Sequence, residues 1–411
     1  MPRPGQVKSS SGERLSDRIA LGVLTRVFPP ELVDEVIAEC GRVEQRSRLL
    51  PARVMVYFVL AMCLFSGQGY EEVARLLTQG LEHARRWEKP WQVPTTGAIG
   101  RARRRLGPEP LKALFARVCR PVADRETAGA WYGQWRLAAV DGTVFDVPDT
   151  EANGAFFGRP GSGRGQDRSA YPQVRLAALV ECGTHAVFAA ATGPLSVHEQ
   201  QLVPGLLDRL GPGMLVLADR GITGFELWRA ASGTGADLLW RVRKNIVLPV
   251  VEAFSDGSYL SEIFASGDQS RRDPITVRVV EYTLGRPGDD TVYRLITSIC
   301  DPVQAPATEL AGLYHQRWEI ETTLDEIKTH QGGPRLVLRS QHPDGVEQEI
   351  YGFLLIHHAL RDVMHRTAHQ TGTDPDRLSF IRTLRIARRH VTAQAALSPL
   401  TTEDGTHRHR P

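Results

Sequence analysis

Cysteine is scarce in this chain of 411 residues, and the five present, Cys40, Cys63, Cys119, Cys182 and Cys300, are scattered with no Cys-x-x-Cys spacing. An odd, dispersed set excludes a disulfide framework and a zinc cluster, and a reducing compartment fits best. The apolar run from Val54 to Phe65 falls short of the ~20 residues needed to cross a bilayer and reads as a buried helix. The first residues, Met-Pro-Arg-Pro-Gly-Gln-Val-Lys-Ser-Ser, lack the apolar centre of a signal peptide. A cytoplasmic protein with no membrane partner is expected. Net charge is small too, formally +3, so the global balance points to no particular partner. No repeat of solenoid period is visible. What remains is ordinary for a globular protein: apolar residues at 42% and charged residues at 24%, in a chain long enough for two or three domains.

The distribution of charge is more telling than its sum. Between Arg101 and Arg120 the cations Arg101, Arg103, Arg104, Arg105, Lys112, Arg117 and Arg120 are opposed only by Glu109, an electrostatic footprint suited to phosphates. Its surroundings read as helical. Ser16 or Asp17 can cap a helix toward Phe28, and Pro30 can open another through Glu39. Val54 to Phe65, the break Ser66-Gly-Gln-Gly69 and Tyr70 to Leu77 read as helix, turn, helix. Thr95 or Thr96 can then cap a short basic helix ending at Gly107. A helical DNA-binding domain over residues 15–125 is the expectation, with Arg101, Arg103, Arg104 and Arg105 as contacts; a glycine turn between helices is also a common structural device. The polar ends, 1–14 and 396–411, are expected to be flexible and disordered, respectively.

Farther along, Tyr314-His-Gln-Arg317-Trp-Glu-Ile-Glu321-Thr-Thr-Leu-Asp-Glu-Ile-Lys328 sets an aromatic, a guanidinium, a carboxylate and an ammonium at helical intervals. At about 100° per residue, Tyr314, Arg317, Glu321 and Lys328 fall within roughly 60° of arc. Leu313, Ile320, Leu324 and Ile327 occupy the neighbouring arc, so burying that stripe would hold the polar quartet along the edge of a cleft. Glu319 and Glu326 project to the opposite side. A solvated charged helix would show mixed charges as well.

Two upstream segments share a pattern. Trp135-Arg-Leu-Ala-Ala-Val-Asp141-Gly-Thr-Val-Phe and Gly213-Met-Leu-Val-Leu-Ala-Asp219-Arg-Gly are apolar runs of strand length that end in an aspartate with a glycine nearby. Open α/β sheets place their ligands at such strand ends. Asp141, Asp219 and Glu321 therefore form a candidate carboxylate triad. Val174 to Leu179 and Ala186 to Ala191 read as a strand meander after the first acid, Asn153 to Arg168 as a loop, and Glu199 to Leu210 as a helix leading to the second acid. The interval from Asp219 to Glu321 is too long for a simple connection. Within it Leu238 to Val242, Ile246 to Val251, Ile275 to Thr283 and Thr291 to Ile299 read as strands, with turns at Ser255-Asp-Gly-Ser258 and Gly285-Arg-Pro-Gly288. An antiparallel β insertion over 238–304 follows. Gln331-Gly-Gly-Pro334 should close the helix of Glu321, and helices from about Val346 to Ala368 and Pro375 to Ala393 complete the chain.

With these residues in place the chain resembles the transposases of the insertion-element-four group. Asp141 in Val-Asp-Gly-Thr, Asp219 in Ala-Asp-Arg-Gly and Glu321 match the family's Asp, Asp, Glu triad, and Tyr314, Arg317, Glu321 and Lys328 fill its signature of Tyr, two residues, Arg, three residues, Glu, six residues, Lys. Leu49-Leu-Pro-Ala-Arg53, within Leu15 to Leu81, looks like the family's amino-terminal domain, and Leu338-Arg-Ser and Gln348-Glu-Ile-Tyr look like its carboxy-terminal blocks. The resemblance implies an α/β fold: a ribonuclease-H-like mixed sheet flanked by helices over 130–237 and 305–395, with an antiparallel β insertion and an all-α N-terminal domain. It implies a DNA transposase that cleaves at inverted terminal repeats and joins the ends to target DNA, by cut-and-paste through a hairpin intermediate. Its partners would be double-stranded DNA and a second copy in a synaptic homodimer, in a nucleoid-associated setting. Tyr314, Arg317 and Lys328 would bind the transposon end. One departure stands out: the family usually continues Asp-Arg-Gly with an aromatic, and this chain has Ile222 and Thr223.

The chemistry suits these residue types. Two hard divalent ions about 3.5–4 Å apart can activate the attacking oxygen and neutralise the leaving one, and they favour oxygen ligands. Asp141 would bridge the ions while Asp219 and Glu321 complete their shells, with Mg²⁺ expected and Mn²⁺ able to substitute. Without metal, three convergent carboxylates repel one another and at least one pKa should rise; Arg317 and Lys328 can offset that and grip phosphates. Asp146 and Asp149 read as turn or surface residues, Asp325 as a supporting or solvated acid, and His198 and Glu199 as a polar helix start. Trp240 and Trp318 read as core, with stacking on a flipped base as the alternative. Two other functions stay open: a non-catalytic DNA-binding regulator derived from a transposase, and a ribonuclease-H-like nuclease acting on unrelated nucleic acid.

Overall fold

Proline and threonine start the first helices where their lone missing donor or spare acceptor is useful. The computed structural model describes residues 26–46, 48–83, 93–161, 171–265, 267, 271–283 and 292–394, without the side chains of 78–83 and 392–394. Most of the helix expected from Ser16, the turn at Gly285, residues 162–168 of the stretch Asn153 to Arg168, and both polar ends lie outside the described residues. The chain divides into two compact units, Met1–Leu114 with Leu384–Pro411, and Phe115–Thr383.

The first unit is helical: α1 (Pro30–Glu39), α2 (Ala52–Leu64), α3 (Tyr70–His83), α4 (Thr96–Leu106) and the start of α5 (Glu109–Val118). Every residue of α2 from Val54 to Leu64 is buried, as a helix without a polar face requires. Around it, the Tyr57 hydroxyl donates to the Phe28 carbonyl at 2.7 Å, and the rings of Phe58 and Tyr70 meet edge to face. From the far end of the chain Arg388 Nε donates to the Leu64 carbonyl at 2.6 Å. Residues 384–394 thus belong with this unit, a correction to their expected place in the catalytic domain. The expected caps of α4 are present. Thr95 Oγ1 accepts from the Ala98 amide at 3.3 Å, and Gly107, at φ +69°, ends the helix.

The second unit contains β1 (Trp131–Tyr132), β2 (Trp135–Asp146), α6 (Glu151–Phe157), β3 (Gln173–Glu181), β4 (Val187–Pro194), α7 (Glu199–Leu202), β5 (Met214–Ala218), α8 (Phe225–Ser232) and β6 (Asp237–Arg241). β7 (Glu252–Ala253), β8 (Tyr259–Ile263), β9 (Ile275–Thr283), β10 (Val292–Thr297), α9 (Ala307–Leu313), α10 (Trp318–Asp325), α11 (Pro343–Thr371) and the first residues of α12 (Phe380–Gln394) follow. One sheet runs β4-β3-β2-β5-β6-β10-β9-β8-β7, with β1 paired to β2. The β2-β3-β4 meander is antiparallel, whereas β5 and β6 run parallel to β2. This is the mixed, ribonuclease-H-like α/β arrangement. Its apolar core joins Val140, Leu179, Val216 and Leu238 to Trp228 of α8, whose ring meets Trp240 edge to face at 5.0 Å.

Several local expectations need correction. Leu238 to Val242 is not the first insertion strand but β6 of the parallel core; the antiparallel strands β7 to β10 then extend the same sheet through the pairing of Ile296 with Trp240. Ile246 to Val251 forms no strand. Pro249 has no amide for a ladder, and Val247 is 80% exposed. Asn153 lies in α6 rather than in a loop, because Thr150 Oγ1 accepts from the Asn153 amide at 3.2 Å and caps a helix there. After α7 the chain tightens into a 3₁₀ run, Val203–Arg209, where Pro204 supplies no helical donor. Among the described residues no helix is long and apolar enough to cross a membrane.

Candidate active site

β2 and β5 are parallel neighbours with Val140 opposite Ala218. The next residues, Asp141 and Asp219, therefore emerge at the same level of strands about 4.8 Å apart. Beyond that level β2 continues with β3, while β5 ends. The third acid arrives from α10, within a helical run of three kinds: α9, a 3₁₀ turn at Tyr314–Arg317, α10, and a π-turn at Glu326–Gln331. The single regular helix expected here is thus broken twice. Its apolar stripe still packs inward, with Ile320, Leu324 and Ile327 buried.

Arg317 links two of the acids. Its side chain is buried, and its Nη2 donates to Glu321 at 2.9 Å while Nη1 reaches Asp141 at 3.4 Å. Asp219 is approached by Arg241 at 4.0 Å, and its Oδ1 is buried without a hydrogen-bond partner. Lys328 Nζ donates to Thr143 Oγ1 at 3.2 Å, two residues beyond Asp141. Tyr314 is buried and donates its hydroxyl to the Ala218 carbonyl at 3.3 Å; burial pushes its pKa up. It braces the end of β5 immediately before Asp219.

The expected carboxyl shift falls on Asp141. Burial pushes its pKa up to about 6, helped by the charges of Glu199 and Glu321 and opposed by the Gly142 amide and Arg317. The sequence marks Glu199 only as a polar helix start. In the structure its carboxyl end occupies the space a Cβ on Gly142 would fill, and it accepts from Arg175 at 3.1 Å. A glycine directly after a strand-borne acid is the signal that could have pointed to it, since the gap admits a side chain from elsewhere.

Two cavities flank the turn Asp219-Arg220-Gly221. One, of about 440 Å³, is lined by Arg220, Arg241, Arg243, Lys244, Asn245 and Arg294. The other, of about 310 Å³, brings Arg175, His198 and Glu199 together with Gly221 and again Arg243. Arg294 is held by Glu281 at 2.6 Å, but Arg220, Arg243 and Lys244 are exposed. Such a wall suits polyanions. In the sequence the run Arg241-Val-Arg-Lys244 follows directly on the apolar strand pattern, which carries no sign that its cations face a cavity.

Residues 134–357, which span all three acids, match the transposase DDE domain, and residues 18–116 match the insertion element 4 transposase N-terminal domain. The chain is 31% identical over 378 residues to the transposase InsG for insertion sequence element IS4 of Escherichia coli strain K12, covering 90% of this chain and 83% of that protein. The chain belongs to the insertion element 4 transposase family. The transposase is therefore an enzyme of DNA transposition, and DDE domains use divalent metal ions. A cryo-EM structure of a piggyBac transposase synaptic complex with hairpin DNA is similar over 92% of this chain and 82% of that one, at 13% identity and a TM-score of 0.49.

The donor set of the transposase fits a hard divalent ion: oxygen ligands only, with the Asp219 Oδ1 buried and unpartnered. As they stand, no three such groups among the described residues close around one point, and the Arg317 guanidinium bridges Asp141 and Glu321.

The remaining sequence candidates divide by exposure. On α4, Arg101, Arg104 and Arg105 are exposed. Arg103 is buried, its Nη1 on the Tyr70 hydroxyl at 2.6 Å. Trp240 is core as expected. Trp318 is not: it is 56% exposed, beside the Arg317 guanidinium at 5.3 Å.

Proposed function

We propose that this transposase cleaves DNA at the inverted terminal repeats of its insertion sequence and joins the freed ends to target DNA, with Asp141, Asp219 and Glu321 around the scissile phosphate. The observation that carries this reading is the register of Val140 with Ala218, which sends two aspartates out of adjacent strands, together with the Arg317 hydrogen bonds to Asp141 and Glu321. Divalent cations, Mg²⁺ with Mn²⁺ as a substitute, would be held as a pair by these three acids and would supply a strong nucleophile and charge neutralisation at the leaving oxygen.

The chain's own groups do the rest. Arg317 is a buried cation among the three acids, and its Nε has no partner, so one donor is in reserve for a phosphate oxygen. Lys328 lies on the same side, above Thr143, where it can neutralise the neighbouring phosphate. Tyr314 fixes the strand end from which Asp219 projects. Arg220, Arg243 and Lys244 form a cationic wall for the sugar-phosphate backbone. In the helical unit, Arg101, Arg104 and Arg105 offer outward charge for duplex DNA, while Arg103 supports the helix. Cut-and-paste movement through a hairpin intermediate, a synaptic homodimer, and a cytoplasmic, nucleoid-associated setting complete the reading by likeness to the family.

Supercoiled plasmid bearing the element's ends tests it. With Mg²⁺ the wild-type protein should cut at the ends, and Asp141→Asn should bind them without cutting. Tight end binding by a wild type that never cuts would make it a regulator. Equal cutting of scrambled ends would make it a nuclease of broader range.

A further inference from the structure

Behind the helix that carries Glu321, away from the cleft, sits a buried charged cluster that the reaction as described does not use. Glu326, first residue of the π-turn, accepts from His357 Nε2 at 3.0 Å and from Arg361 Nε at 3.0 Å and Nη2. Arg361 Nη2 also meets His185 Nδ1 at 2.8 Å. Glu326, His357 and Arg361 are all buried, the last two on α11. Burial alone would raise the Glu326 pKa; the hydrogen bond from His357 and the charge of Arg361 outweigh it and hold the carboxyl at about 2. An ionised carboxylate is thus locked to α11 two residues before Lys328.

A π-turn is rare inside a helix and concentrates where function needs a helix out of step. Here Gly332 closes it. The Gly332 amide donates to the Ile327 carbonyl at 3.0 Å, and a side chain at Gly332 would collide with Leu336 and with the Lys328 carbonyl. In a regular α-helix, seven residues fall about 20° short of two turns, so Glu321 and Lys328 would stand in line along the axis. A wider turn adds fewer degrees per residue and swings Lys328 out of that line. Its Nζ is found on Thr143, on the strand of Asp141.

We propose that Glu326 is a positioning residue: anchored by His357 and Arg361, it holds the π-turn that presents the Lys328 ammonium beside Asp141. The inference rests on the transposase reading above. A buried ion pair kept for stability alone would look similar in a static structure, so the test must read coupling to Lys328.

The experiment is a double-mutant cycle in single-turnover cleavage of end-bearing DNA with Mg²⁺, using wild type, Glu326→Gln, Lys328→Ala and the double variant. Each single change is expected to slow cleavage by about tenfold or more, since small misplacements near a reacting centre are costly. The double variant should be no slower than Lys328→Ala, because the clamp then has nothing left to position. Multiplying effects, or an unchanged rate in Glu326→Gln, would overturn the proposal. If Glu326→Gln does not fold, His357→Gln runs the same cycle with the Arg361 pair intact. Hydrogen exchange at the Ile327 to Gly332 amides of the metal-free protein supplies a readout without activity. It should quicken in Glu326→Gln and stay unchanged in Lys328→Ala, and unaltered exchange in both would also overturn the clamp. A wild type that does not cut, or an Asp141→Asn variant that cuts equally well, would instead remove the transposase reading, and the exchange data would still judge the clamp.

Discussion

Arg317 donates to Glu321 from one helical turn away, at 2.9 Å, and the same guanidinium reaches Asp141 across the cleft at 3.4 Å. One cation thereby offsets two candidate metal ligands that would otherwise repel each other. Only a planar fork can do both.

Replacing Arg317 with alanine should push the Asp141 carboxyl above its value of about 6 and slow end cleavage by roughly 100-fold, the scale of losing a preorganised charge at a reacting phosphate. Arg317→Lys should recover little, because an ammonium cannot span both carboxylates. Single-turnover cleavage at saturating DNA measures this, and near-wild-type rates in both variants would show that the guanidinium is dispensable.

Asp141 itself should titrate near pH 6 in the metal-free protein, followed by carboxyl-carbon resonances. The charge of Glu199 is one of the causes of that elevation, so Glu199→Gln should move the midpoint down. The sign follows from like-charge repulsion disfavouring the ionised form. A midpoint near 4 in the wild type would contradict the buried environment of this acid.

Glu319 offers a stability test. Partly buried, with the Gly183 amide as donor, it is pushed up to about 8, chiefly by desolvation. Its folded pKa lies above the unfolded value of about 4.3, so the folded state binds the proton more tightly. Its contribution to stability is full below the unfolded pKa and is lost as pH rises through about 8. Glu319→Gln should therefore raise the Tm by a few degrees at pH 8, and by nothing comparable near pH 4. Equal shifts at both pH values would mean that packing, not charge, is responsible.

The salt dependence of end binding should separate the cations. Arg243→Ala with Lys244→Ala should reduce the slope of log affinity against log salt by about two, one for each lost phosphate contact. Arg103→Ala should leave the slope alone and lower thermal stability instead, because Arg103 faces Tyr70. A slope change from Arg103→Ala would place its side chain at the DNA.

Much of this was legible beforehand where the governing interaction is local. Pro30, Thr95 and Gly107 mark helix ends because a missing donor, a capping oxygen and a positive φ act within one turn. Asp141 and Asp219 stand out because each closes a short apolar run; only β5 ends there, while β2 continues past Asp141 to Asp146 along β3. The bounds of β6 and the absence of a strand at Ile246 to Val251 were not legible, since strand pairing depends on a distant partner.

Residue spacing alone brought out Tyr314, Arg317, Glu321 and Lys328 as a helical set and two aspartates that close apolar runs, because helical and strand periods are properties of the backbone. Tertiary structure decided which way each face looks. It turned Arg103 and Tyr314 inward and Trp318 outward, seated Glu199 on Gly142, and tied Glu326 to Arg361, thirty-five positions away. A buried charge must find its counter-charge wherever the fold brings one, and no local pattern records where that is.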